Sequence, residues 1–149
     1  MKNNEKNTAT ILHLSALSQY LLPFGNYIVP TIIWSTKKDD SEFINQQGKN
    51  VLNFQLSIFL YSIILLLIGI PILIYRLLHN TNLDAFINGN HNIETLNHEN
   101  LIGLMLAFAL AIFLFVVLKI TEFVLIIIGA VTASNGQIYK YPLSINFIK

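Results

Sequence analysis

Lys119 and Glu122 are opposite charges set three residues apart inside a long apolar stretch, and on a helix that spacing places them on one face. Either ion alone in hydrocarbon is costly, about 2.5–3.5 kcal/mol for Lys on insertion scales. Pairing, and contact with polar groups of another helix, lowers that cost. Deep in a bilayer such a pair is a proton or ion relay, or a polar gate. If the span ends near Leu118, the pair sits at the headgroups with Lys119 snorkelling, and depth decides between the two.

A second set lies further back in the chain. Asn53, Ser57 and Tyr61 recur every four residues, and Gln55 and Ser62 stand seven apart, which gives one helix a polar side. Such side chains line a wet path or act as interhelical glue, with pair strengths averaging about 0.6 kcal/mol. Gly103, Ala107 and Ala111 form a ridge of small residues that lets a second helix approach closely, either within one chain or between copies. His91, Glu94 and His98 would share a face if that stretch were helical, and imidazole with carboxylate can bind zinc. Solvated loop histidines are the plainer reading, so no metal and no other cofactor is expected. The chain has no HExxH, GxSxG or GxxxxGK[ST] pattern, and with no such signature it is not expected to be an enzyme.

The elements that hold these residues are set by composition. Asp, Glu, Lys and Arg make up 11% of the 149 residues, against about 25% in soluble domains, which is too few to coat an aqueous surface. From Leu101 to Leu118 there is no charged or hydrogen-bonding side chain, a run of about 27 Å as a helix beside a hydrocarbon core of about 30 Å. The sequence therefore predicts an all-α fold, a polytopic integral membrane helical bundle in one domain. Its solvent and first partner is the lipid bilayer. A net charge of +1 gives no footprint for nucleic acid, and the absence of cysteine removes disulfides and thiolate metal sites.

Three apolar blocks are predicted, at about 10–34, 51–78 and 101–133, with polar loops at 36–50 and 79–100 and an interfacial tail at 134–149. The first block is interrupted by Pro23, Phe24, Gly25 and Asn26 and again by Pro30. Proline removes a backbone donor and glycine admits unusual dihedrals, so the block either crosses as a kinked helix or re-enters as a hairpin. Asp39, Asp40 and Ser41 ahead of Glu42 mark the start of the second helix, and Gly69 with Pro71 predicts a bend in it. A short helical turn is expected around Asn92 to Asn97. Gly136 suits a helix C-terminal cap, Pro142 stops the helix from resuming, and Tyr139 and Tyr141 are expected at headgroup depth.

Lysines set the orientation. Lys37, Lys38 and Lys49 follow the first block and Lys140 and Lys149 lie in the tail, whereas Arg76 alone borders the 79–100 loop. The 36–50 loop and the tail are therefore expected on the cytoplasmic side of an inner (plasma) membrane. A hairpin first block would bring Lys2 and Lys6 to the same side.

The segments HLSALSQYLLPFGNYIVPTIIWSTKKDDSEFINQQGKNVLNFQLSIFLYSI and ASNGQIYKYPLSINF resemble the MamF/MmsF-like family of small bacterial membrane proteins, which is also similar to the small integral subunit of the Tic translocon. The matching positions are Pro23, Phe24, Gly25 and Asn26, then Trp34, Lys37 and Lys38, then Asn53, Phe54 and Gln55, and finally Gly136, Tyr141 and Pro142. The resemblance implies a three- or four-segment membrane protein with no enzymatic activity or cofactor known for most of the family. Two functions are carried forward: a structural, assembly or scaffolding protein that associates with itself or a partner, and a transport or translocation component with a path lined by the broken first block and Lys119/Glu122. A zinc-responsive sensor at His91, Glu94 and His98 is a third.

Overall fold

The computed structural model describes residues 2–80 and 98–149. Helix α1 (Asn3–Ser15) runs into a 3-10 helix (Ala16–Tyr20), followed by α2 (Gly25–Lys37), α3 (Glu42–Asn80) and α4 (His98–Ser134). Among the described residues every regular element is helical. The expected turn at Asn92 to Asn97 lies outside the described residues.

Two helical stretches, Glu42–Tyr75 and Met105–Ser134, are long and apolar enough to cross a membrane. Only 11% of the most apolar window of each is buried, whereas the core helix of a soluble protein is mostly covered. Their apolar side chains thus require an apolar solvent, and the chain is a membrane protein.

Neither α-helix of the first apolar block is long enough to span a membrane by itself. Its two α-helices have 13 residues each, about 20 Å of rise against the roughly 30 Å of a hydrocarbon core. The break comes at Phe24, which takes a left-handed conformation with φ 60° as the N-cap of α2, and not at Pro30, which is buried inside α2. Gly25 is required next to it because a Cβ there would lie 2.6 Å from the Ser18 carbonyl oxygen.

The chain reverses at this break. His13 meets Gln47 of α3, while Gln19 meets Glu122 of α4. After the turn, Asn26 meets Gln55 and Trp34 meets Asn45, so α2 runs antiparallel to α3 and back along the level that α1 had descended. Of the two arrangements expected for the block, the contacts describe the hairpin; a continuous kinked helix is excluded by the reversal.

Two compact units divide the chain. The first comprises Met1–Leu60 and Leu118–Lys149, the second Tyr61–Val117. In the first, Leu12, Val51, Phe54 and Ile126 form the apolar core with Ala9, Ala16 and Ala133. In the second, the helical segments leave an apolar cleft of about 420 Å³ lined by residues that include Gly69, Ala107 and Ala111. Helix α3 continues through Gly69 and Pro71. Helix α4 closes on Gly136 in a Schellman motif: φ is 79°, the Gly136 N–H bonds the Ala133 carbonyl at 2.9 Å, and the Gln137 N–H bonds the Thr132 carbonyl at 3.2 Å.

Candidate functional site

Two polar clusters occupy the interior of the first unit. In the first cluster, Gln47 Nε2 donates to the Gln137 carbonyl at 2.7 Å and Gln47 Oε1 accepts from the Tyr139 N–H at 3.4 Å. These two backbone groups fix which end of the amide faces which way. Oε1 also lies 2.9 Å from His13 Nε2, so that nitrogen carries the proton. His13 Nδ1 is then the acceptor for the Tyr141 hydroxyl at 2.6 Å. The imidazole is neutral, and burial pulls its pKa down to about 4, the Gln47 hydrogen bond opposing the shift. Burial pushes the Tyr141 hydroxyl up.

Packing holds this pair of rings. Tyr141 stacks on Phe54 with ring centroids 4.1 Å apart and an interplanar angle of 7°. On α4, Gly129 is the opposing surface: a Cβ there would stand 2.6 Å from His13 Nδ1 and 2.8 Å from the Tyr141 hydroxyl. Tyr141, expected in the interfacial tail, is thus covered by the protein itself. Its ring fills the protein interior at 6% exposure, because His13 offers its hydroxyl an acceptor and Phe54 covers its face.

The same face of α3 clamps the tail. Asn50 Nδ2 donates to the Tyr139 carbonyl at 2.8 Å. Asn53 Oδ1 accepts from the Phe147 and Ile148 N–H groups at 3.0 and 2.8 Å, and its Nδ2 returns a bond to the Ile148 carbonyl at 3.0 Å. Ser57 Oγ accepts from the Ile145 N–H at 2.8 Å and donates to the Asn53 carbonyl at 2.7 Å. The tail has no regular secondary structure, and these side chains meet backbone groups that would otherwise be orphaned. Pro142 and Leu143, the latter at φ 64°, turn it back on itself.

The second cluster is charged. Lys119 Nζ lies 2.8 Å from Glu122 Oε2, Gln19 Nε2 donates to Glu122 Oε1 at 3.0 Å, and Lys119 Nζ donates to Gln19 Oε1 at 3.3 Å. Glu122 is fully buried, whereas the Lys119 side chain is one-third exposed, so the ammonium reaches the carboxylate from the edge of the fold. Nearby, Asn26 Nδ2 donates to Gln55 Oε1 at 2.7 Å, and Tyr27 donates to the Gln55 carbonyl at 3.3 Å. Gln55 Nε2 is buried without a hydrogen-bond partner among the described residues.

The residues singled out in the sequence are thus distributed. Asn53, Gln55 and Ser57 are hydrogen-bonded inside the first unit, Lys119 and Glu122 are joined there by Gln19, and Asn26 ties the hairpin tip to α3. Tyr61, Gly103, Ala107 and Ala111 belong to the second unit. His91 and Glu94 lie outside the described residues, and His98 begins α4. His13, Gln19, Gln47, Asn50 and Gly129 escaped sequence reasoning. Their signal was available: a histidine and a glutamine standing alone in the first apolar block need partners if that block is buried.

No curated protein and no solved structure matches the chain. A family model does, over residues 4–148, and it takes in the hairpin tip, the polar face of α3 and the clamped tail alike. The chain belongs to the MamF/MmsF family, described as the magnetosome magnetite crystal formation protein family.

Proposed function

We propose that this protein is a non-enzymatic structural or assembly component of a bacterial inner membrane, acting through association with a second copy or another membrane protein. The observation that supports it is the use made of the buried polar groups. His13, Asn26, Gln47, Asn53, Gln55, Ser57 and Glu122 are all buried, and each bonds one chain segment to another, where a carrier or enzyme would turn such groups toward a cavity. The family's description concerns magnetite crystal formation. A mineral face would be met by free carboxylates, whereas the carboxylate of the charged cluster, Glu122, is buried and paired with Lys119. Assembly is the part of the family's role that these residues favour. The lysine distribution supports a cytoplasmic 36–50 loop and tail.

Crosslinking and mass measurement of the detergent-solubilised chain test the reading. A stable oligomer, or a stoichiometric complex with a defined membrane partner, is expected, and Gly103→Leu with Ala107→Leu should dissociate it if the small-residue ridge is the contact. A monodisperse monomer that crosslinks to nothing in the native membrane would refute the assembly role.

One observation favours the second reading, a transport or translocation component. The turn of the broken first block delivers Gln19 onto Lys119 and Glu122, so the residues that would line a polar path do converge. Reconstituted protein should then pass ions or polypeptide, with a flux altered by Lys119→Leu. Equal leak from empty and loaded liposomes would end that reading.

A further inference from the structure

The tail and the start of α3 enclose a polar pocket of about 460 Å³ that none of the preceding roles uses. Lys49 enters it from α3, and Lys140 and Lys149 enter it from the tail. No Asp or Glu is among its lining residues. Among the described residues none of the three ammonium groups has a carboxylate partner, and the Ser144 hydroxyl and Asn146 amide, which also line the pocket, have no hydrogen-bond partner either. Three lysines and two unused hydrogen-bonding groups thus line one volume to which no Asp or Glu side chain contributes.

Exposed apolar side chains beside the pocket indicate where the anion comes from. Lys140, Ser144, Asn146 and Ile148 line the pocket, while the intervening Leu143, Ile145 and Phe147 are exposed at 65, 40 and 48%. One short segment thus lines a cationic pocket and carries beside it exposed apolar side chains. A water-soluble phosphate has no use for the second surface. A phospholipid uses both, its phosphodiester in the pocket and its acyl chains against the apolar residues, and basic pockets beside membrane segments bind anionic headgroups in this way.

We propose that this pocket binds the headgroup of an anionic phospholipid, with Lys49, Lys140 and Lys149 as the charge partners and Ser144 and Asn146 as hydrogen-bond partners of the phosphodiester. The proposal rests on the chain being a membrane protein and not on the assembly role, since a monomer would bind lipid equally well.

Native mass spectrometry of the full chain in a neutral detergent, titrated with phosphatidylglycerol or phosphatidylcholine, tests it. Phosphatidylglycerol should bind saturably and at least about tenfold more tightly than phosphatidylcholine, and that preference should weaken with salt. Combined Lys49→Gln, Lys140→Gln and Lys149→Gln should abolish the preference, whereas the three Lys→Arg changes should keep it. Trp34 fluorescence and helicity report whether the Gln variant is folded. If it is not, the exposed Lys140→Gln alone should still reduce the preference measurably. Equal binding of the two lipids, or a preference unchanged in the folded variants, would overturn the proposal. Glycerol phosphate displacing the lipid at equal concentration would overturn the choice of a lipid over a free phosphate.

Discussion

The two units are built from the same kind of helix yet differ in what their side chains enclose. Every buried side chain among the described residues lies in the first unit, and none lies in Tyr61–Val117. Lipid is as apolar as leucine, so burying leucine against leucine gains little in a membrane, and specificity there comes from hydrogen bonds and close packing. The first unit has both. It should behave as a protein with a unique interior, whereas the second unit should be sensitive to hydropathy and insensitive to shape.

The largest test of this contrast is Tyr141→Ala. It removes a buried aromatic stacked on Phe54 and leaves His13 Nδ1 without its donor, a loss of about 3–5 kcal/mol for the ring before the orphaned nitrogen is counted. Detergent unfolding monitored by circular dichroism should show the tail and α1 releasing together. Tyr141→Phe, which keeps the stack and loses only the hydroxyl, should cost about 1–3 kcal/mol. Equal stability of the Ala variant and the parent would show that the tail does not hold the first unit together.

Next in size is the charged cluster. Lys119→Met leaves the Glu122 carboxylate buried with Gln19 as its remaining partner among the described residues, and stranding a buried charge costs on the order of 3 kcal/mol. Adding Glu122→Gln should restore most of that loss, since an amide keeps the size and hydrogen-bonding capacity without the charge. A double variant no more stable than Lys119→Met would mean that the ammonium acts by packing and not by compensating charge.

These two tests also mark what could be read in advance. Helical class and membrane solvent follow from apolar runs and scarce charge, which are local properties. The count of spans did not follow, because the first block is as greasy as a span while its fate rests on a turn at Phe24 and Gly25 and on a Ser18 carbonyl brought close to Gly25. The polar face of α3 was visible in its spacing, but its partners were not. His13 and Tyr141 are 128 positions apart, and nothing local distinguishes a tail that rests in headgroups from one whose tyrosine enters the core. Gly129 is the same case: its need for a missing Cβ exists only once two distant rings have met over it.

Acid should weaken the first unit through His13. Unfolded, the imidazole titrates near 6.5; folded, burial lowers it to about 4, so the unfolded chain binds the proton more readily. Stability is therefore full above about pH 6.5, declines as the pH falls toward 4 and levels off below that, with a span of about 3 kcal/mol. Unfolding midpoints recorded from pH 7.5 to 4 should show this slope in the parent and lose most of it in His13→Gln. A slope of the same size in that variant would assign the acid sensitivity elsewhere.

Gly129→Ala refines the comparison by a single methyl group. The new Cβ meets His13 Nδ1 and the Tyr141 hydroxyl inside hydrogen-bond range, and because both rings are held from the far side by Gln47 and Phe54, they have little room to withdraw. Overpacking of this kind costs about 1–3 kcal/mol. Gly69, in the second unit, has nothing within 4 Å of its would-be Cβ, so Gly69→Ala meets no such resistance and gains the helix-forming advantage of alanine, up to about 1 kcal/mol. The same substitution should therefore destabilise in one unit and be neutral or stabilising in the other, measured as unfolding midpoints in one detergent.

The smallest effect is expected where apolar side chains face the solvent. Ile68 and Met105 of the second unit are 58 and 68% exposed, and exchanging Ile68→Leu or Met105→Leu alters neither the transfer of area into an apolar medium nor any enclosed volume. Each change should stay within about 0.5 kcal/mol in detergent or bilayer. Ile68→Asn puts an amide on that face, and in hydrocarbon the amide has no water to bond, so this variant should insert less completely while the first unit's network is left untouched. A Met105→Leu effect as large as that of Gly129→Ala would show that the second unit is packed against a partner and not bathed in lipid, and it would identify which face of α4 that partner covers.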